Sequence, residues 1–137
     1  MTLILFGIKS MASRWEQCDA IRASWLNPKY WKFEDDLEIH SIFLLGNEHD
    51  VWSNTVWISK REQDRGDILQ SDFAESHYNL SLKDHDFFTY IEENCPDVDF
   101  VFKGDDDILL VPENAMFHIN RLKRQPVYAL SHLLRIA

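Results

Sequence analysis

Short apolar segments recur along the chain, separated by longer stretches of mixed polarity. Thr2 to Ile8 and Leu37 to Gly46 are rich in β-branched and aromatic residues, which predicts two buried strands. Asp67 to Gln70 predicts a short third strand, and Val98 to Lys103 alternates in polarity as a fourth strand would. A final strand is predicted over Val127 to Leu130.

Apolar residues recur at helical spacing between these strands. Ser13 and Glu16 fit a capping box that would begin a first helix. Cys18, Ile21 and Trp25 follow on one face of that helix. We therefore expect these three side chains to enter a core.

Three more helices are predicted downstream. Glu48 to Gln63 most resembles an amphipathic helix, and the D-x-x-E motif at Asp72 predicts a helix from that residue to Asn94. Pro112 suits the first turn of a last helix, extending to Arg124, because proline needs no hydrogen-bond donor there. The core-facing residues of the Asp72 helix are expected to be Leu80, Phe87, Phe88, Ile91 and Cys95.

This alternation of strands and helices predicts an α/β fold, a Rossmann-like and mainly parallel sheet with helices on both faces. In such sheets ligands bind beyond the carboxyl ends of the strands. Two loops occupy that position: Lys9 to Arg14 after the first strand, and Gly104 to Asp107 after the fourth. These loops are the predicted ligand site.

The acidic triplet in the second loop is the most informative chemical feature. In extended backbone, Asp105 and Asp107 point to one side and Asp106 to the other. Two convergent carboxylates suit Mg²⁺ or Mn²⁺, with phosphate oxygens completing the coordination. A solvated acidic turn is the alternative, but apolar runs flank the triplet, where uncompensated carboxylates would be costly.

Charge and composition narrow the ligand class. The 137 residues include 14 Lys plus Arg and 23 Asp plus Glu, a formal charge of −9, which argues against a nucleic-acid partner. Only 4 glycines are present, which excludes G-x-G-x-x-G and Walker A loops. A metal ion would let such an acidic chain hold an anionic diphosphate.

Five motifs occur in order over most of the chain: AIRASW at Ala20 to Trp25, FLLG at Phe43 to Gly46, GDILQSDF at Gly66 to Phe73, ESHYNLSLK at Glu75 to Lys83, and FVFKGDDD at Phe100 to Asp107. In this set the chain resembles the β-1,3-galactosyltransferase and β-1,3-N-acetylglucosaminyltransferase family, family 31 of the glycosyltransferases. The resemblance implies a GT-A fold, of which residues 1–137 are the donor-binding, N-terminal part.

The resemblance also implies an inverting hexosyltransferase that moves galactose or N-acetylglucosamine from a UDP-sugar, in β-1,3 linkage, to a glycan acceptor. Mn²⁺, or Mg²⁺, would be held by Asp105 and Asp107, and the donor would also meet Asp106. Arg22 and Lys83 match family motifs and are implied donor contacts. Their alternatives are a helix-surface arginine and a solvated helix lysine.

The resemblance further implies a Golgi membrane setting, although the family's N-terminal membrane anchor is not present in this sequence. An inverting transfer also needs a general base. The only acid after Asp107 is Glu113, which the start of a helix explains. The base is therefore expected beyond residue 137, and we expect negligible transfer by this chain. Either the chain is a fragment of the enzyme, or it is a stand-alone, non-catalytic nucleotide-sugar or metal-binding module.

The two cysteines leave two alternatives open. Cys18 and Cys95 could form a disulfide bridge or stay as thiols.

Overall fold

The computed structural model describes residues 2–32, 36–47, 66–74 and 79–123. The helix predicted over Glu48 to Gln63 and the strand predicted over Val127 to Leu130 lie outside these residues. Within the described residues, no helix is long and apolar enough to cross a bilayer.

The described strands form one 4-stranded, all-parallel sheet. They are β1 (Thr2–Lys9), β2 (Leu37–Asn47), β3 (Ile68–Ala74) and β4 (Phe100–Asp105). Their spatial order is β3-β2-β1-β4, so β1 lies inside the sheet between β2 and β4. The predicted parallel α/β sheet is confirmed.

In the part of the chain that the structure describes, three α-helices cover the two faces of this sheet: α1 (Trp15–Ala23), α2 (Leu80–Asn94) and α3 (Pro112–Lys123). Short 3₁₀ helices occupy Ala12–Arg14 and Pro28–Trp31. The apolar faces of α1 and α3 share one core cluster with alternate residues of β1, whereas α2 packs in a second cluster on the other face. Helices on both faces explain why β1 is an almost continuous apolar run.

Alternation along β1 divides its side chains between the two clusters. Ile4, Phe6 and Ile8 are each at most 1% exposed and pack with α1 and α3. Leu5 packs with Phe87 of α2 on the opposite face. The predicted core role of Cys18, Ile21 and Trp25 is confirmed, because all three are buried in the α1 cluster.

The predicted start of the first helix is wrong. The chain enters α1 through the 3₁₀ turn Ala12–Arg14, and the helix begins at Trp15. Arg14 is the N-cap residue and makes no capping hydrogen bond through its side chain to the described residues. Ser13 lies inside the 3₁₀ turn, so it does not occupy the extended N-cap position that a capping box requires.

The predicted start and buried face of the third helix are also partly wrong. Asp72 lies in β3, which continues to Ala74, and α2 begins at Leu80. Pairing of β3 with β2 in the sheet therefore overrides the local helix signal. Phe87 is fully buried as expected, but Phe88 is 38% exposed.

The two cysteines form no disulfide in the described chain. Cys18 belongs to the cluster of α1 and α3, and Cys95 packs against the cluster of α2. The sheet separates these clusters, so the fold itself keeps the two thiols apart.

Gly7 allows the ring of Phe87 to approach the backbone of β1. A Cβ atom at Gly7 would lie 2.4 Å from Cζ of Phe87. We expect Gly7→Ala to lower the free energy of unfolding by roughly 1–3 kcal/mol or more, measured by urea denaturation, because overpacking a close-packed core forces neighbours to move. Phe87→Leu removes the ring atoms that clash, so the double variant should lose less than the two single losses added. Additive losses would contradict this packing.

Candidate functional site

The predicted ligand loops meet at the carboxyl edge of the sheet. β2 and β3 lie on one side of β1 and β4 lies on the other, so the strand order reverses between β1 and β4. Lys9, the last residue of β1, is in register with Asp105, the last residue of β4. This edge is a topological switch point, where open α/β sheets bind ligands.

Asp106 faces the protein interior. Its side chain accepts a hydrogen bond from Oγ of Ser10, at 2.7 Å, and lies 3.0 Å from Nε of Arg14. Its backbone carbonyl accepts a hydrogen bond of 2.8 Å from Nε2 of Gln17 in α1. Asp106 is only 5% exposed. It therefore ties the turn after β4 to the loop after β1, and its implied donor contact stays a prediction.

Asp105 and Asp107 are exposed, on either side of the buried Asp106. The exposed and buried side chains alternate as expected, but the expected extended backbone over all three residues is wrong, because β4 ends at Asp105 and residues 106–107 form a turn. Among the described residues, no group of three or more His, Cys, Asp or Glu side chains could hold a metal ion. Mg²⁺ and similar ions commonly bind one or two carboxylates together with substrate phosphates. The two exposed carboxylates therefore fit an ion that arrives with a diphosphate.

Lysine side chains line the same edge on the α2 face. Nζ of Lys103 donates to Oδ2 of Asp84 at 2.7 Å. Nζ of Lys9 lies 3.9 Å from Oδ1 of Asp84 and 3.8 Å from Oδ1 of Asp105. These two distances are too long for hydrogen bonds. The Lys9 ammonium thus has only long ion pairs to the described residues, beside one of the candidate metal ligands.

Among the described residues, the charges at this edge balance, although the whole chain carries −9. Four cationic and four anionic side chains meet there: Lys9, Arg14, Lys83, Lys103, Asp84, Asp105, Asp106 and Asp107. Lys103 and Asp84 are site residues that were not predicted from the sequence. The pattern predicts a strand at Lys103 and a helix at Asp84, but the two residues are 19 positions apart, so no local pattern indicates that they pair.

Lys83 lies beneath the site. It is 3% exposed, and its Nζ donates to the backbone carbonyl of Ser10 at 2.7 Å. The alternative of a solvated helix lysine is therefore wrong. The side chain extends from α2 to the end of β1, where it donates to a backbone carbonyl of a buried residue. A contact of Lys83 with the donor stays a prediction.

Arg22 joins two of the sequence motifs. Its Nε and Nη2 donate to the two carboxylate oxygens of Asp67, at 2.7 and 2.8 Å, and its Nη1 donates to Asp19 at 2.8 Å. Its guanidinium carbon lies 4.7 Å from the ring centre of Phe43 in β2. A freely solvated arginine on the helix surface is therefore wrong, since the side chain is 15% exposed. Whether Arg22 also contacts a donor stays a prediction.

Comparison with known proteins shows the family to which this chain belongs. The sequence profile of the galactosyltransferase family matches residues 16–135. The UDP-GlcNAc:betaGal beta-1,3-N-acetylglucosaminyltransferase 7 of Rattus norvegicus is 32% identical over 126 residues, which are 90% of this chain and 31% of that protein. The N-acetyllactosaminide beta-1,3-N-acetylglucosaminyltransferase 2 of Homo sapiens is 31% identical over 127 residues, 88% of this chain and 30% of that protein.

A relative with a lipid acceptor in its name matches the same part. The lactosylceramide 1,3-N-acetyl-beta-D-glucosaminyltransferase of Homo sapiens is 27% identical over 124 residues, 89% of this chain and 33% of that protein. The chain thus spans about a third of the length of these curated relatives. The profile match covers most of the chain and includes the acidic turn, Arg22 and Lys83. The chain therefore belongs to the galactosyltransferase family.

Proposed function

We propose that this chain is the donor-binding part of a β-1,3-glycosyltransferase that uses a UDP-sugar. The observation that carries the proposal is the meeting of two exposed carboxylates, Asp105 and Asp107, with basic side chains at the switch point of the sheet. Family membership gives the reaction class. The names of the relatives favour N-acetylglucosamine over galactose as the transferred sugar, and a glycan or glycolipid as the acceptor.

Asp105 and Asp107 are the residues that would hold Mn²⁺ or Mg²⁺. When bound, such an ion neutralises charge that develops on the departing diphosphate. The electrostatics of the edge support a metal requirement. The eight charged side chains described there balance, so by themselves they offer no net attraction for a diphosphate, whereas a divalent cation would add a positive field.

Lys9 is the side chain that we assign to the diphosphate. It is 16% exposed, it lies beside Asp105, and its nearest described carboxylates are 3.8 and 3.9 Å away. An ammonium has three donors and binds phosphate as a compact charge. Lys9 can therefore take a phosphate oxygen without breaking a short hydrogen bond to the described residues. Lys103 differs, because its 2.7 Å bond to Asp84 occupies it.

Paramagnetic Mn²⁺ tests the location of this site. With UDP present, we expect substoichiometric Mn²⁺ to broaden the amide NMR signals of residues 9–11 and 104–108 first. Signals at Asp97 to Asp99, before β4 at the opposite edge of the sheet, should stay sharp. First broadening at another part of the chain, with residues 104–108 unaffected, would contradict the assignment.

A further inference from the structure

We propose that Asp106 and Ser10 form a positioning pair, which holds the turn after β4 so that Asp105 and Asp107 face the donor together. Asp106 then acts through Ser10 and does not touch the donor itself. This inference rests on the proposed function, because it assigns the support of the same metal and donor site.

The backbone N–H, the backbone carbonyl and the hydroxyl of Ser10 all make hydrogen bonds that fix its position. It is 3% exposed, its N–H donates to the carbonyl of Leu44 at 3.0 Å, and its hydroxyl donates to Asp106 at 2.7 Å. Its carbonyl accepts from Lys83 at 2.7 Å, and its Oγ accepts from Sγ of Cys18 at 3.4 Å. Three elements, β2, α1 and α2, therefore hold this one residue at the end of β1.

Asp106 links the acidic turn to Ser10 and so holds the turn in place. Its carboxylate is bound to Ser10 and Arg14, and its backbone carbonyl is bound to Gln17. Its neighbours on both sides are exposed, and the nearest ion pair of Asp105, to Lys9, is 3.8 Å long. The described contacts that hold the turn are thus mainly those of its middle residue. The two exposed carboxylates can therefore bind a ligand.

Loss of this support has a defined consequence for binding. A ligand that must order a loose turn forfeits part of its binding free energy. Metal ligands in particular need side chains that supporting hydrogen bonds hold in place. The hydroxyl of Ser10 is buried beneath the turn, so its removal should weaken donor binding without removing any donor contact.

The test compares four variants of the whole chain by calorimetric titration of UDP in the presence of Mn²⁺. We expect Ser10→Ala and Asp106→Ala each to lower the affinity roughly tenfold, the worth of one hydrogen bond to a charged group. The double variant should lose little more than Asp106→Ala alone, because the bond between the two side chains is already absent in that variant. Asp106→Asn should retain most of the affinity, since its amide oxygen still accepts from Ser10.

Thr89→Ala is the matched control. It also removes one side-chain hydroxyl donor, but the Thr89 hydroxyl donates to the backbone carbonyl of His85 within α2, away from the acidic turn. Its UDP affinity should equal that of the wild type.

Two results would overturn the inference. If Asp106→Asn and Asp106→Ala both abolish binding while Ser10→Ala has no effect, Asp106 is itself a ligand. If the Ser10 and Asp106 variants lose stability in urea but bind UDP normally when folded, the pair is only structural.

Failure of the proposed function would look different. The wild-type chain would then not bind UDP with Mn²⁺ at all. In that case amide hydrogen exchange still decides the positioning role, because Asp105 to Asp107 should exchange faster in Ser10→Ala than in the wild type. Equal exchange would overturn it.

Discussion

Replacing Asp107 with alanine is expected to abolish the Mn²⁺-dependent binding of UDP. Asp107 is exposed at the switch point, where it and Asp105 are the two exposed carboxylates of the described acidic turn. A site with two protein carboxylates has no spare ligand, so loss of one leaves the ion held too weakly to bridge to a diphosphate. Isothermal titration of UDP in Mn²⁺ should give no measurable heat of binding.

Asp97→Ala is the control for this variant. Asp97 is also an exposed aspartate, but it precedes β4 and so lies at the opposite edge of the sheet. Its removal makes the same change of net charge and should leave UDP affinity unaltered. Normal binding by Asp107→Ala, or an equal loss in both variants, would contradict the assignment of Asp107.

Replacing Arg22 with alanine is expected to lower the free energy of unfolding by about 2–4 kcal/mol. The guanidinium makes a bidentate pair with Asp67 and a third bond to Asp19, and it covers the ring of Phe43. Its loss would leave the largely buried carboxylate of Asp67 without its arginine partner, just before β3. Urea denaturation of the purified variant measures the effect.

Arg22→Lys separates this structural role from the donor contact that the family resemblance implies. A single ammonium cannot reproduce the planar pairing with Asp67, so we expect an intermediate loss of stability. If Arg22 is structural, the folded Arg22→Lys chain should bind UDP as the wild type does. A large loss of UDP affinity with unchanged stability would instead favour a direct donor contact.

Much of the fold was predictable because its strands are strongly patterned. β1, β2 and β4 are short apolar segments bounded by polar or turn-forming residues, and the helices between them require parallel pairing. The position of the site followed from that topology, since parallel strands bring their carboxyl ends to one edge. Asp106 is buried between two exposed aspartates, as a two-residue period would place them, although Asp106 and Asp107 lie in a turn and not in extended backbone.

Several of the features that sequence reasoning missed depend on distant partners. The D-x-x-E motif at Asp72 satisfies a local rule for helix starts, but Asp72 lies in β3, in which Gln70 before it and Ala74 after it pair with β2. Lysine is usually a surface residue, and the burial of Lys83 is explained in part by its bond to the carbonyl of Ser10, 73 residues away. The bond between Ser10 and Asp106 spans 96 residues, so neither residue alone indicates it.

The central claim is that a divalent cation brings a nucleotide diphosphate to the carboxyl edge of β1 and β4. The most direct measurement is a pair of calorimetric titrations of UDP into the wild-type chain, one with Mn²⁺ and one with a chelator. We predict saturable binding with Mn²⁺ and none with the chelator, because the balanced charges of the edge do not attract the diphosphate unaided. Equal affinity in the two titrations would contradict the account.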